Sequence, residues 1–297
     1  MKSVLKLIRP RQWVKNLFLF APLIFSKHLF EEGYIVTEAL GFAVFCLLSS
    51  TVYVINDIAD READRLHPVK KSRPIAAGTI SPQRGFVIAF FLFSGAAAVA
   101  SVLNGLFQIA AMLYLTLNIL YSVRLKHVIL VDVFVIAAGF MLRVLAGAFV
   151  IEVEVSHWLV LCTLFVSLFL AVSKRRSELL LVQESNEASA REVLREYDLA
   201  FIDQMITITA SGMAISYALY TVAERTVVMF KTENLIFTTV FVLFGIFRYL
   251  YLLKKKKTED NPTLILLGDS VMMMNIAAWF VFCIAIIYSA ELRSFFQ

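Results

Sequence analysis

Residues 53–80 read YVINDIADREADRLHPVKKSRPIAAGTI, and the polarity of this stretch organises everything around it. Asn56, Asp57, Asp60 and Asp64 form an N-D-x-x-D-x-x-x-D pattern. On a helix turning roughly 100° per residue, these four fall within an arc of roughly 100°. Three carboxylates and an amide on one face repel one another unless cations join them. Such hard oxygen ligands suit Mg²⁺, which keeps several waters and often bridges to phosphates. Lys70, Lys71 and Arg73 follow past Pro68, and Pro74 restarts the chain. Acids that hold a metal, followed by a basic loop, predict a diphosphate site, with metal on some phosphate oxygens and Lys or Arg on the others. A merely solvated helix end is the plainer alternative, and the phasing of the acids argues against it.

Outward from this stretch the chain is apolar in both directions. Of its 297 residues, 60% are hydrophobic and 17% charged, whereas soluble domains carry about 25% charged residues. A bilayer is therefore the expected solvent. Nine segments approach the roughly 20 residues that cross a hydrocarbon core: 17–36, 37–55, 84–103, 105–122, 128–149, 157–173, 203–224, 234–253 and 270–290. Pro22, Lys27 and His28 interrupt the first, and Asn104-Gly105 makes a tight hairpin between the third and fourth. The first 16 residues carry Lys2, Lys6, Arg9, Arg11 and Lys15 and show no cleavage signature, so the first apolar segment is expected to remain in the mature protein.

Alternating the connections places 22 Lys or Arg on one side and only 4 (Lys27, Arg225, Lys231, Arg293) on the other. That bias predicts a cytoplasmic N-terminus and an active site facing the cytoplasm of the inner (plasma) membrane. It also explains the net charge of +5 without nucleic acid as a partner. The run Lys254–Lys257 reads as a topogenic flank. Cys46, Cys162 and Cys283 are odd in number and widely spaced, and read as packing residues.

The acidic signature at the end of the second apolar segment, within a nine-helix chain, resembles the UbiA superfamily of intramembrane prenyltransferases. The resemblance implies an all-α polytopic fold, nine transmembrane helices around a central cavity, with 1–297 as a single UbiA-type transmembrane domain. It also implies that Asn56, Asp57, Asp60 and Asp64 bind Mg²⁺ and a diphosphate. Most UbiA-type enzymes carry a second aspartate-rich motif between the sixth and seventh helices. The equivalent stretch here, SKRRSE at 173–178, has one carboxylate, Glu178, and three cations, Lys174, Arg175 and Arg176. Further cations close the fourth segment in YSVRLKH (Tyr121, Arg124, Lys126, His127), with Asp132 just beyond, and open the chain in RPRQWVKN (Arg11, Lys15, Asn16). Arg143 lies deep in the fifth segment, where a charge needs a partner or a wet cavity.

Taken together, RPRQWVKN, the acidic motif through RPIAAG, LKH with its following Asp, and KRxxEL resemble the phosphoribosyltransferase branch of that superfamily, whose members act on decaprenyl phosphate. This implies that phosphoribosyl passes from phosphoribosyl pyrophosphate to a polyprenyl phosphate, with release of diphosphate. A donor bearing a diphosphate and a separate 5-phosphate, together with a phosphorylated acceptor, calls for more cations and fewer second-motif acids. The catalytic group is then Asp57, Asp60, Asp64, Lys126 and Glu178. Substrate contacts fall to Lys15, Asn16, Lys70, Arg73, Tyr121, Lys126, Arg143, Lys174 and Arg175. The lipid tail is expected in a lateral groove, where Gly139 and Gly147 permit close helix approach, with ordinary helix packing as the plainer reading of such small residues. His28 and His157 read as interfacial, His67 as a candidate phosphate contact, and Asp269 as a border residue of the last helix. An aromatic prenyltransferase of the same fold and a small-molecule transporter are the alternatives, and a homo-oligomer is left open.

Overall fold

The computed structural model describes residues 2–66, 70–185, 196–255, 265–266 and 268–289. His67, Lys256, Lys257 and Arg293 therefore lie outside the described residues. The chain divides into two compact helical units, Met1–Val155 and Ser156–Gln297. Among the described residues eight helices are long and apolar enough to cross a membrane.

In the first unit, α1 (Lys2–Ile8) leads into a 3-10 helix, Pro10–Phe20, continued directly by α2 (Ala21–Phe25). This is a correction to the expected single crossing at 17–36. Pro10 and Pro22 each stand in the first turn of a separate piece, where a missing N–H does no harm. The two pieces form a rod running antiparallel to α3 (Glu32–Ala59). Arg9 reaches Asp57 near one end of α3, Trp13 donates to Ser50 at 3.0 Å, and Asn16 donates to Ser49 at 3.3 Å. Leu19 then meets the level of Glu38, both against Gly147. From Asp57 back to Glu38, α3 rises about 28 Å. The eleven 3-10 residues, rising about 2.0 Å each, extend about 22 Å alongside it, with the Arg9 side chain reaching on to Asp57.

Beyond the acidic stretch come α4 (Arg61–Leu66), a short 3-10 turn at Lys70–Ser72, then α5 (Pro82–Ala100), α6 (Gly105–Val123) and α7 (Val131–Val150). The hairpin between α5 and α6 lies where the sequence predicts it. Asn104 caps α6 by accepting from the Phe107 N–H at 2.9 Å, and its amide donates to the Phe149 carbonyl at 2.5 Å. One residue thus starts one helix and ties it to the end of another. Lipid provides no hydrophobic drive between helices, so close packing and buried polar contacts hold such a unit together. The core joins Leu19 and Leu23 of the rod, Val44, Phe45 and Leu48 of α3, Phe107 and Tyr114 of α6, and Ala146 of α7. On α5, Phe86, Phe90 and Phe91 remain exposed on the other side, as a lipid-facing surface requires.

The second unit comprises α8 (His157–Ser185), α9 (Leu199–Val222), α10 (Glu224–Phe230), a 3-10 turn at Asn234–Thr238, α11 (Thr239–Lys255) and α12 (Ser270–Ile287). α8 continues well past the expected end at 173, through KRRSELLL. Those residues are good helix formers, and Lys174–Glu178 and Arg175–Glu178 pair along one face. Gly212 is required where α9 crosses α8, since a Cβ there would fall 2.3 Å from the Phe165 ring. Asp269 caps α12 through the Met272 N–H at 2.8 Å and pairs with Arg248 at 2.7 Å. The intramembrane Arg248 thereby finds its counter-charge one helix away.

Candidate active site

The acidic motif does not occupy one uninterrupted helix face. α3 ends at Ala59, Asp60 turns the chain, and α4 begins at Arg61. Helical hydrogen bonding nearly persists through the bend, from Asp60 N–H to the Asn56 carbonyl at 2.9 Å and from Asp64 N–H to the Asp60 carbonyl at 2.8 Å. The acids therefore stay close across the bend, with Asp57 and Asp64 buried.

Each acid meets a cation from a different part of the chain. Asp57, 1% exposed, accepts at Oδ1 from Arg9 Nη2 at 2.5 Å and from Arg73 Nη1 at 3.1 Å. The same Arg73 nitrogen donates to Asp64 Oδ2 at 2.6 Å. The Asp57 and Asp64 oxygens thus lie closer together than those two lengths combined. Asp60 Oδ1 accepts from Lys126 Nζ at 2.6 Å, and Lys126 is itself buried in the 3-10 turn Leu125–His127. Lys6 Nζ donates to the Ser72 carbonyl at 2.7 Å. The N-terminal helix, the acidic motif, the basic turn and the end of α6 consequently converge on one end of this unit.

Arg9 is the residue that sequence reasoning missed. It stands in the left-handed region, φ 51° and ψ 60°, an uncommon place for a side chain of this size. Its guanidinium also lies 5.0 Å from the centroid of the Tyr53 ring. Strained backbone of this kind persists where surrounding contacts over-determine it. The only sequence signal is its place in RPRQWVKN.

Whether these residues suit a divalent cation can be judged from their atoms. The ligands are hard oxygens, as Mg²⁺ prefers. Asp57 Oδ2 is buried and accepts no hydrogen bond, so one carboxylate oxygen is available at the centre of the cluster. Among the described residues no three acidic, His or Cys side chains converge as a ready metal cage. Mg²⁺ at this place would take few protein ligands and be completed by water and substrate phosphate. Asn56 is half-buried beside Asp57.

Other predicted residues take different places. Asn16 and Arg143, both buried, bind each other: Arg143 Nε donates to Asn16 Oδ1 at 2.8 Å, Nη1 to the Gly139 carbonyl at 2.8 Å and Nη2 to the Tyr114 hydroxyl at 2.8 Å. Every nitrogen of the guanidinium is used inside the protein, and the Tyr114 ring lies 4.6 Å from its carbon. The pair is thus a brace joining the rod, α6 and α7. Gly147 serves the close approach of the rod to α7, in line with the packing reading. Lys15, Lys70 and Tyr121 are half-buried on the rod, the basic turn and α6. In the second unit, Glu178 faces Lys174 Nζ at 3.6 Å and pairs with the fully buried Arg175, while Arg176 pairs with Asp203 at 2.7 Å. A pocket of about 590 Å³ lined by Tyr34, Thr37, Asn104 and Glu152 lies at the opposite end of α3, and no predicted site residue lines it.

A multi-helix membrane fold bearing this acidic, cation-matched helix end is that of an intramembrane transferase. The chain belongs to the UbiA prenyltransferase family, whose model matches residues 19–279. The transporter alternative is thereby set aside. Over 222 residues it is 35% identical to decaprenyl-phosphate phosphoribosyltransferase of Mycolicibacterium smegmatis, spanning 73% of this chain and 70% of that one. It is 36% identical over 222 residues to the enzyme of the same name from Corynebacterium glutamicum, spanning 73% of this chain and 67% of that one. Among solved structures it resembles a UbiA homolog from Archaeoglobus fulgidus bound to DMAPP and Mg²⁺, with a TM-score of 0.72 at 20% identity over 96% of this chain and 99% of that one. At that identity the likeness concerns the fold.

Proposed function

We propose that this protein transfers 5-phosphoribosyl from phosphoribosyl pyrophosphate to a polyprenyl phosphate, decaprenyl phosphate being the reference acceptor, and releases diphosphate. The observation that carries the reading is the matching of three acids by Arg9, Arg73 and Lys126 at one end of the first unit. A site of this composition suits a highly anionic donor together with divalent metal. The kinship in sequence with two enzymes named decaprenyl-phosphate phosphoribosyltransferase supports the choice of donor.

Asn56, Asp57, Asp60 and Asp64 would hold Mg²⁺, which when bound neutralises the departing diphosphate. Arg73, Lys70 and Lys126 contact phosphate oxygens through charge-assisted hydrogen bonds, and Lys15 and Tyr121 orient the same groups. Lys174 and Arg175 bind phosphate of donor or acceptor, with Glu178 setting their side chains. In the reaction the C1–O bond to diphosphate breaks and a bond forms from C1 to a phosphate oxygen of the lipid. That oxygen is already ionised at neutral pH, so no strong general base is required. The electron pair leaves with the diphosphate. Positive charge gathering on the ribose resembles that of other glycosyl transfers.

The reading treats 1–297 as one domain, with the rod as a ninth crossing beside the eight long helices. The converging end, rich in Lys and Arg, then faces the cytoplasm of the plasma membrane. Membranes containing the protein, supplied with radiolabelled phosphoribosyl pyrophosphate and decaprenyl phosphate, should yield labelled lipid. Absence of labelled lipid, together with prenylation of 4-hydroxybenzoate from a polyprenyl diphosphate, would overturn the proposal in favour of an aromatic prenyltransferase.

A further inference from the structure

The three acids of the motif are matched as they stand. Asp57, Asp60 and Asp64 are met by Arg9, Arg73 and Lys126, one cation for each acid. A divalent cation added alone would bring surplus positive charge against these bases. A diphosphate added alone would meet carboxylates already in place. Arriving together, metal and diphosphate change the balance little. The geometry also distinguishes the two arginines. Arg9 is fixed by a left-handed backbone, by the Tyr53 ring and by Asp57. Arg73 follows a three-residue turn, bridges two carboxylates with one nitrogen, and is 23% exposed.

We infer that Arg73 is an exchanging counter-cation: it occupies Asp57 and Asp64 in the absence of metal, and passes to the diphosphate when metal takes those carboxylates. Arg9 stays on Asp57 in both states as a positioning residue. The inference rests on the reading of the site as a metal and diphosphate site. It goes further, because it requires the acids to be held shut against metal alone and makes metal and diphosphate bind as a coupled pair. Arg73 Nη1 spends both of its protons on the two carboxylates, so that nitrogen is released to phosphate only when metal takes their oxygens. The exchange needs no movement of α3: the guanidinium swings at the end of its side chain while Asp57, held by Arg9, keeps its place.

The test is direct metal binding, independent of turnover. Purified full-length protein in nanodiscs is titrated with Mn²⁺, a paramagnetic stand-in for Mg²⁺, and free Mn²⁺ is read by electron paramagnetic resonance with and without inorganic diphosphate. In the wild type, diphosphate should tighten Mn²⁺ binding by about tenfold or more, the size of an ordinary coupling between sites. In Arg73→Gln, Mn²⁺ alone should bind several-fold more tightly than to the wild type, and the gain from diphosphate should shrink. Arg73→Lys, which keeps the charge but loses the fork, should fall between them. Arg9→Gln should lack the tightening seen with Mn²⁺ alone in Arg73→Gln. If Arg73→Gln binds Mn²⁺ alone more weakly, or leaves both affinities unchanged, the exchange is wrong while the site assignment stands. If the wild type binds no Mn²⁺ even with diphosphate, or Asp57→Asn binds it undiminished, the site assignment itself fails. Retention of the monodisperse peak and melting temperature of the wild type separates these outcomes from misfolding.

Discussion

Gly147→Ala should damage the protein out of proportion to one added methyl group. At this position a Cβ would sit 2.1 Å from the Leu19 carbonyl oxygen and 2.8 Å from Glu38 Oε1. Carbon and oxygen ordinarily come no closer than about 3.3 Å, so the rod must retreat by about 1 Å, and backbone, unlike a side-chain tip, cannot rotate aside. Overpacking of this kind costs about 1–3 kcal/mol. The retreat also pulls on the bond between Arg143 and Asn16, now 2.8 Å long, a charge-assisted contact worth about 1.5–3 kcal/mol. Further along the rod sits Arg9 on Asp57, and a displacement of about 1 Å near a reacting centre can lower turnover by about a hundredfold. The assay pairs thermal unfolding in detergent with transfer activity in proteoliposomes. Gly105→Ala is the control, because a Cβ there meets nothing within 4 Å. Equal melting temperatures and equal activities for the two variants would refute the role assigned to the rod.

Three other outcomes are expected. Arg143→Leu should lower stability by about 2–4 kcal/mol, since it leaves two buried neutral groups, Asn16 and Tyr114, without this partner; Arg143→Lys should recover little, and the loss is read from thermal melts. Asn104→Ala removes both the cap of α6 and the tie to Phe149, so a loss of about 1–2 kcal/mol should appear in the same measurement. Treatment with EDTA should abolish transfer, and Mg²⁺ should restore it while Na⁺ does not, as followed by labelled lipid formation.

Residues 53–80 were legible because charge at a membrane boundary needs a reason, and few chemistries supply one. The Asn104-Gly105 hairpin was legible because a capping residue and a glycine separate two apolar runs. The rod was not, because hydropathy counts apolar residues and takes no account of hydrogen-bond pattern. Pro10 and Pro22 each permit a new helical start, and the 3-10 winding between them has no composition of its own. The end of α8 was misplaced for a related reason: hydropathy falls at Lys174, yet the pairs to Glu178 carry the helix on. Arg143 announced that it needed a partner, but Asn16 lies 127 positions away in sequence and nothing local points to it. Arg9 was hidden because its importance comes from a left-handed backbone and a carboxylate 48 positions distant.

The shared grip of acids and bases on a phosphorylated sugar donor is tested most directly by doubly labelled phosphoribosyl pyrophosphate, with ¹⁴C in the ribose and ³²P in the β-phosphate. Purified protein in liposomes with decaprenyl phosphate should move ¹⁴C into the lipid phase while an equal amount of ³²P appears as free diphosphate, and Asp57→Asn should stop both. Both labels staying in the aqueous donor would contradict the account, as would undiminished transfer by Asp57→Asn.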